Sequence, residues 1–187
     1  MFDLELGGIP LGIQIGAKPD SGFDDPIGIL TDCHRRIEHF LHILFIVVGR
    51  AQGRMLTEEE TEAIRASLQY FRIGGQRHTA DEEESLFPRL RAGFGNGSIE
   101  ELRRLEDDHQ AAANLHSTVE TLYLKWIANG LLDEVDAQQL AAGTARLKDL
   151  YAAHIQVEEQ LVFPRAAQLL DSETIETIGQ EFRNRRM

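Results

Sequence analysis

Apolar residues recur along most of the chain at the spacing of helices that each bury one face. The first such stretch follows Asp25-Pro26, a pair typical of a helix start because Asp caps free amides and Pro loses no bond at the first helical position. The run Gly49 to Gly53 ends this predicted first helix. Its inward-facing positions repeat every three, four or seven to eight residues: Ile29, Ile37, Leu41, Leu44 and Val48.

A capping box at Thr57 to Glu60 predicts the start of a second helix, in which the Thr hydroxyl and the Glu carboxylate each accept a bond from a free amide. Gly74-Gly75 lies within this helix and predicts a kink or break, since paired glycines are costly in a helix interior. The helical pattern resumes at His78 and continues to about Arg91.

Similar signals delimit the later helices. Ser98 to Glu101 forms a second capping box, and Asn129-Gly130 predicts the end of the third helix at a left-handed cap. Asp136 is predicted to cap the fourth helix. A short fifth helix is expected over about residues 172–185.

No β-rich run competes with these helices, so the expected fold class is all-α, an up-down four-helix bundle. We divide the chain into an irregular N-terminal arm (1–24), the bundle (25–170) and a C-terminal helix (171–187). Glycine and proline interrupt the arm, although the alternation of Ile9, Leu11, Ile13 and Ile15 would suit a short extended segment.

The composition and net charge of the chain limit the kinds of molecule that it could bind. A chain of 187 residues suits one domain. Its net charge of −12 argues against nucleic acid and anionic membranes, which attract clustered Lys and Arg. The single cysteine, Cys33, excludes an intrachain disulfide and agrees with a reducing compartment. No secretory signal is visible, and the apolar run Phe40 to Gly49 is too short to span a membrane, so we expect a cytoplasmic protein.

One motif occurs twice. The pattern His-x-x-x-Glu-Glu-x-x-x-Phe-Pro-Arg occupies residues 78–89 and again 154–165, which we call the first and second motif copies. A lone histidine precedes each copy at nearly the same distance: His34 lies 44 residues before His78, and His109 lies 45 before His154. The chain therefore contains two related halves that suggest one shared site.

Helix geometry selects the donors within each copy. Residues i and i+4 share a helix face, so His78 can act with Glu82 and His154 with Glu158. Asp81 lies near the same face, but its counterpart in the second copy is Val157, which cannot bind a metal. Glu83 and Glu159 follow at i+5, turned away by about 140°. They are either outer carboxylates supporting the site or surface residues.

The predicted metal ligands are four imidazoles and two carboxylates from four helices: His34, His78, Glu82, His109, His154 and Glu158. One ion rarely takes six such side chains, whereas two ions about 3.5–4 Å apart, bridged by both carboxylates, would use them all. The expected cofactor is a pair of iron ions with an oxo or hydroxo bridge, for which manganese or zinc could substitute.

The remaining candidates have weaker support. At the repeat offset, His39 and His42 correspond to Asn114 and Ser117, so neither matches a repeated ligand. His116 lies two turns after His109 and could reach the site through a hydrogen bond, while Tyr151 could line a pocket or pack in the core. Cys33 suits a small apolar filler. The motif aromatics Phe87 and Phe163 are expected to pack at one end of the bundle.

With this ligand order, residues 25–170 resemble the hemerythrin-like, HHE cation-binding family. The resemblance implies a four-helix bundle with a non-haem di-iron centre, and the order is most similar to the branch of iron–sulfur cluster repair proteins. In oxygen-carrying hemerythrins the third helix has a second His four residues after the first, at the position where this chain has Ala113. Their last motif is His-x-x-x-x-Asp, whereas the last motif here is His154-x-x-x-Glu158. Repair proteins carry a Cys-bearing domain ahead of the bundle, whereas residues 1–24 contain no Cys.

Three functional hypotheses follow. In the first, the centre binds or reacts with O2, NO or peroxide, together with an unidentified redox partner, in stress response or iron-centre repair. In the second, the protein is a metal- or gas-responsive sensor or iron-binding regulator without turnover. In the third, it is a structural bundle that has lost its metal, which the complete ligand set argues against. These residues do not decide whether the protein is an enzyme.

Overall fold

The structure, a computed structural model, describes residues 20–94 and 99–187. The extended segment predicted around Ile9 to Ile15 and the capping role predicted for Ser98 lie outside these residues. Within the described ranges the chain forms five helices and no strand. The predicted all-α bundle is thereby confirmed.

The four long helices run alternately up and down and are joined by short connections. α1 spans Pro26–Ala51, α2 residues 58–94, α3 Ile99–Asn129 and α4 residues 134–169. The shorter α5 spans Ser172–Asn184 and follows directly. α1 lies against α2 and α4, and α3 lies against α4 and also contacts α2, which closes the bundle.

The polar caps explain where the helices begin and end. Asp25 accepts a bond from the Gly28 amide at 2.9 Å, and Thr57 and Glu60 form the predicted capping box. Gly130 adopts a φ of 76° and donates to the carbonyl of Trp126 at 2.9 Å, as predicted for the end of α3.

One cap prediction is wrong. Asp133, not Asp136, is the N-cap of α4, and its carboxylate accepts a bond from the Asp136 amide at 2.9 Å. Asp136 lies within the first turn and pairs with Lys125 of α3. Asp136 is not the cap because the helix begins three residues earlier, where Asp133 already accepts the free amide.

The paired glycines do not break α2. The chain passes through Gly74 and Gly75 as a π-helical turn, Phe71–Gly75, and remains helical on both sides. The predicted alternative of a break is therefore wrong, and a π-helical turn is the kind of irregularity at which helices bend. A Cβ at Gly74 would lie 2.6 Å from the ring of Tyr70, so any larger residue would have to displace that ring.

Further π-helical segments coincide with the two motif copies, at Asp81–Leu86 in α2 and Glu158–Val162 in α4. Pro88 and Pro164 follow them. A proline inside a helix cannot donate its i−4 bond and collides with that carbonyl. The carbonyls concerned, on Glu84 and Gln160, lie within the widened turns, so each helix continues through its proline. π-helical turns occur frequently at functional sites.

Two hydrophobic cores fill the bundle. The larger surrounds Trp126 and Tyr123 at one end, and it buries four of the five positions predicted for α1. The smaller contains Ile29, the two motif aromatics Phe87 and Phe163 as predicted, and Phe182 of α5. None of the described helices combines the length and apolar character needed to cross a membrane.

α5 packs across the end of the bundle at very short range. A Cβ on Gly179 would lie 1.8 Å from the carbonyl oxygen of Phe23, so only glycine allows this approach. α5 thereby contacts both α1 and the π-helical segment of α2 that contains Glu82.

Candidate metal centre

The six predicted ligands meet in one buried layer inside the bundle. Glu82 and Glu158 are fully buried, and the four histidine side chains are at most 8% exposed. α1 and α3 contribute one histidine each, and the two motif copies on α2 and α4 contribute one His-x-x-x-Glu pair each. Since 124 residues separate His34 from Glu158 (158 − 34), the first and last of these side chains, only folding brings them together.

One group of donors contains His34 and His78. Nε2 of His34 lies 3.1 Å from Glu158 Oε2 and 4.0 Å from Glu82 Oε1. Nε2 of His78 lies 3.4 Å from the same Glu82 oxygen. One donor atom from each of the four residues lies within 4.8 Å of the others, so a single cation could contact all four.

The second group contains His109 and His154 and uses the other oxygen of each glutamate. Nε2 of His109 lies 3.2 Å from Glu82 Oε2, and Nε2 of His154 lies 3.2 Å from Glu158 Oε1. These four residues also satisfy the distances of a cation site. Each glutamate therefore stands between the groups, with one oxygen facing each pair of imidazoles.

The hydrogen bonding of this layer is incomplete without a cation. In the part of the chain that the structure describes, nine buried side-chain nitrogen and oxygen atoms have no hydrogen-bond partner, and all belong to the six predicted ligands. Seven of them belong to the facing imidazoles and carboxylates, and the other two are Nδ1 of His78 and Nδ1 of His154. Such groups are rare in proteins because each costs about 1–3 kcal/mol. Imidazole nitrogens and carboxylate oxygens are ligands of iron, manganese and zinc. The donor set therefore fits a metal.

The electrostatics of the free protein agree with this. Burial, and then the neighbouring Glu158 carboxylate, raise the pKa of Glu82 well above its usual value. Burial would raise the pKa of Glu158, but the close imidazoles of His154 and His34 outweigh this and lower it. Burial also lowers the pKa of His78 well below its usual value. Two buried carboxylates cannot both ionise easily without added positive charge, which a cation would supply.

The second glutamate of each motif copy supports a histidine on another helix. Nδ1 of His34 lies 2.9 Å from Glu159, and Nδ1 of His109 lies 2.8 Å from Glu83. The carboxylate can only accept, so the Nδ1 proton is donated and Nε2 is left free to face the centre. Of the two roles left open for these glutamates, the structure shows the outer supporting one.

The motif aromatics follow the same crossed pattern. The Phe163 ring stacks on His34 with 5.4 Å between ring centroids, and Phe87 lies parallel to His109 at 6.3 Å. Each motif copy thus contributes a His and Glu ligand pair, a second carboxylate and an aromatic ring. The second carboxylate and the ring contact the lone histidine of a neighbouring helix. This explains why the repeated motif extends beyond His-x-x-x-Glu.

The Nδ1 atoms of the two motif histidines, His78 and His154, have different surroundings. Nδ1 of His154 lies 3.6 Å from Asp108, too far for a hydrogen bond, and Nδ1 of His78 is buried without a partner among the described residues. The two halves are therefore related in their ligands but not in every supporting contact.

Asp81 has a different role from its neighbour Glu82. Its buried carboxylate accepts bonds from Arg185 at 3.0 Å and from Arg186 at 2.5 Å, at the C-terminal end of α5 and just beyond it. Arg185 also donates to Ser85 at 2.8 Å. We call these contacts of Arg185 and Arg186 with Asp81 the clamp on Asp81, and they were not predicted from the sequence. Two features could have indicated them: the basic run at the end of the chain, and an Asp with no counterpart in the second motif copy.

The other candidates lie outside the layer. His39 and His42 are exposed on α1, in agreement with their assignment as non-ligands. His116 bonds to the hydroxyl of Tyr151 at 3.1 Å and to none of the six residues. Cys33 is buried in the smaller core, as expected of an apolar filler.

The family model described as Hemerythrin HHE cation binding domain matches residues 25–166. The chain belongs to the hemerythrin HHE cation-binding family. No curated protein matches it. The family assignment and the two His and Glu groups together identify this hemerythrin HHE protein as a cation-binding protein.

Proposed function

We propose that the protein binds two iron ions and uses them to bind or react with O2, NO or peroxide. His34 and His78 would hold one ion, and His109 and His154 the other. Glu82 and Glu158 would bridge them. The observation that carries this proposal is that both glutamates direct one oxygen to each histidine pair.

The donor count supports two ions rather than one. Each group provides two imidazole nitrogens and two carboxylate oxygens, so the six side chains serve two centres without a surplus. Four protein donors also leave room on each ion for a small external ligand. The choice of iron follows the family resemblance and the mixed nitrogen and oxygen donor set, which manganese or zinc could also occupy.

Bound iron would supply one-electron redox chemistry and an open position for a small molecule. The chain itself would hold and orient the donors. Glu83 and Glu159 keep the Nδ1 proton on His109 and His34, and both bridging carboxylates are fully buried. Our proposal includes a cytoplasmic role in oxidative or nitrosative stress or in iron-centre repair, with a redox partner still to be identified.

Metal analysis combined with optical spectroscopy tests this proposal. Freshly purified protein is expected to contain two iron ions per chain, and the reduced protein is expected to consume several equivalents of O2, NO or peroxide when electrons are supplied. A His34→Ala, His109→Ala double variant serves as the control and should lose both metal and gas uptake. Binding of no metal by the intact protein would contradict the proposal.

A second candidate function is a metal- or gas-responsive regulator without turnover. The observation that favours it is the clamp of Arg185 and Arg186 on Asp81, because Asp81 adjoins Glu82 and so links the centre to α5. A regulator would change its spectrum once per centre and would alter hydrogen exchange in α5 when metal is removed. Sustained consumption of the small molecule would exclude it.

A further inference from the structure

A cavity of about 460 Å³ opens between α2, α3 and α4 beside the second group of donors. Small-molecule sites in proteins have volumes of about 300–1,000 Å³. A diatomic gas needs far less, since a water molecule occupies about 30 Å³ of the liquid. His109 forms part of the wall, whereas His34 and His78 do not. The cavity therefore adjoins one donor group only and has room for a molecule larger than O2 or NO.

Small side chains create this space. Ala112 and Ala113 lie about one turn after His109 on α3, and Gly75 and Ala80 face them from α2. Ala113 is four residues after His109 and so lies on nearly the same helix face. A larger side chain at Ala113 would extend into the cavity.

The interior offers apolar walls and one polar pair. Leu68 and Phe71 provide the apolar surface, and the Phe71 ring lies 4.5 Å from that of His116. His116 and Tyr151 share a hydrogen bond of 3.1 Å. Burial lowers the pKa of His116 to about 4 and raises that of Tyr151. Both groups are therefore uncharged at neutral pH and can bond to a neutral hydroxyl.

The charged residues of the wall disfavour an anion. Three carboxylates line the cavity, those of Glu83, Glu84 and Glu120. Arg72 pairs with Glu120 and Arg185 pairs with Glu84, so both of those carboxylates are compensated, and Glu83 accepts a bond from His109. Arg72, the one Lys or Arg among the described lining residues, is already paired, so an anion would find no available cation in a chain whose net charge is −12. A cation would lose its hydration against Phe71 and Leu68 without gaining an unpaired carboxylate.

We propose that this cavity binds an uncharged hydroxylic molecule, R–OH or R–OOH. The apolar group R of this molecule lies against Phe71 and Leu68. The O–H group of the molecule forms a hydrogen bond with the pair of His116 and Tyr151. The inference rests on the proposed function in that the ligand would lie beside His109 of a metal-bound centre. Alcohols and organic hydroperoxides share this chemistry, and a matched pair of probes distinguishes them.

The test uses the zinc-loaded protein, which is diamagnetic and redox-inactive, and follows probe binding by NMR titration. The probes share one apolar body: cumyl alcohol, cumene hydroperoxide, the 2-phenylisobutyrate anion and the cumylammonium cation. The alcohol or the hydroperoxide is expected to bind at least about tenfold more tightly than either ion. Whichever neutral probe binds more tightly identifies the source, and both results support the inference.

Variants locate the binding. Ala113→Leu is expected to lower the affinity for the neutral probe at least about tenfold, because the larger side chain fills the cavity. The matched control is Ala111→Leu, an exposed alanine on α3 outside the cavity, which should change affinity less than about twofold. Tyr151→Phe removes one hydrogen-bonding group and should weaken binding about fivefold. Zinc content, measured in every variant, should remain unchanged.

The outcomes separate the two proposals. Failure of the intact protein to load zinc would count against the proposed metal centre. Normal zinc loading with equal neutral-probe affinity in Ala113→Leu and the unaltered protein would overturn the cavity inference alone. Tighter binding of either charged probe would overturn it as well.

Discussion

Glu159 Oε1 lies 2.9 Å from His34 Nδ1, although 125 residues separate them along the chain. The contact joins α4 to α1 and leaves Nε2 of His34 directed at the two central carboxylates. Glu83 makes the same contact with His109 on α3. Each motif copy thereby orients a histidine that it does not contain.

This crossed support predicts that Glu83→Gln and Glu159→Gln each weaken metal binding about 10- to 100-fold, the usual effect of removing a partner of a ligating histidine. Competition with a coloured chelator would measure the change. Glu84→Gln is the matched control, because the equivalent residue of the second copy is already Gln160. Equal losses in all three variants would contradict the supporting role.

The ligand assignment predicts that His78→Ala or His154→Ala sharply lowers the metal content of the purified protein. Each removes a buried donor from one of the two groups. His39→Ala removes an exposed imidazole of α1 and should leave the content unchanged. Metal analysis by mass spectrometry checks this, and equal losses in the three proteins would show that the wrong helix face had been assigned.

Metal binding should stabilise the fold, because the donors are assembled only in the folded chain. A metal at about 1,000 times its Kd would raise the free energy of unfolding by about 4 kcal/mol. Calorimetry with and without metal measures this. An identical melting temperature in both states would contradict the proposed centre.

The stabilisation by metal should increase with pH. In the metal-free protein the pKa of Glu82 is raised, so between its unfolded and folded pKa values the folded state binds more protons than the unfolded state. The contribution of Glu82 to stability is then present at low pH and is lost as pH rises through the folded pKa. Metal binding needs the ionised Glu82 carboxylate, so the stability that the metal adds increases as pH rises. Melting temperatures recorded over a pH series, with and without metal, should therefore diverge as pH rises.

The clamp on Asp81 predicts a large effect far from the ligands in sequence. The double variant Arg185→Ala, Arg186→Ala would leave a buried carboxylate without its cations, which costs about 3–5 kcal/mol. Urea unfolding measures the loss. Adding Asp81→Asn should restore part of it, whereas Arg183→Ala alters an exposed residue of α5 and should cost little. No recovery in the triple variant would show that the arginines act elsewhere.

Most of the helices and the donor set could be predicted from local sequence. Caps at Asp25 and Thr57 and the spacing of apolar residues define α1 and α2, because capping and burial of one face act within a few residues. The two copies of His-x-x-x-Glu indicated a metal site, since residues four apart in a helix share a face. The turn at Gly74 and Gly75 was harder to predict because a π-helical turn and a break have the same local signal.

The sequence by itself determined that this is a helical bundle with four imidazoles and two carboxylates available to a cation. Only the tertiary structure decided which outer carboxylate supports which histidine, that Asp81 binds the C-terminal arginines, and that a cavity opens beside Ala113. The physical reason is that hydrogen bonds and cavities depend on distances between helices. Local spacing defines the face of one helix and carries no information about what that face meets.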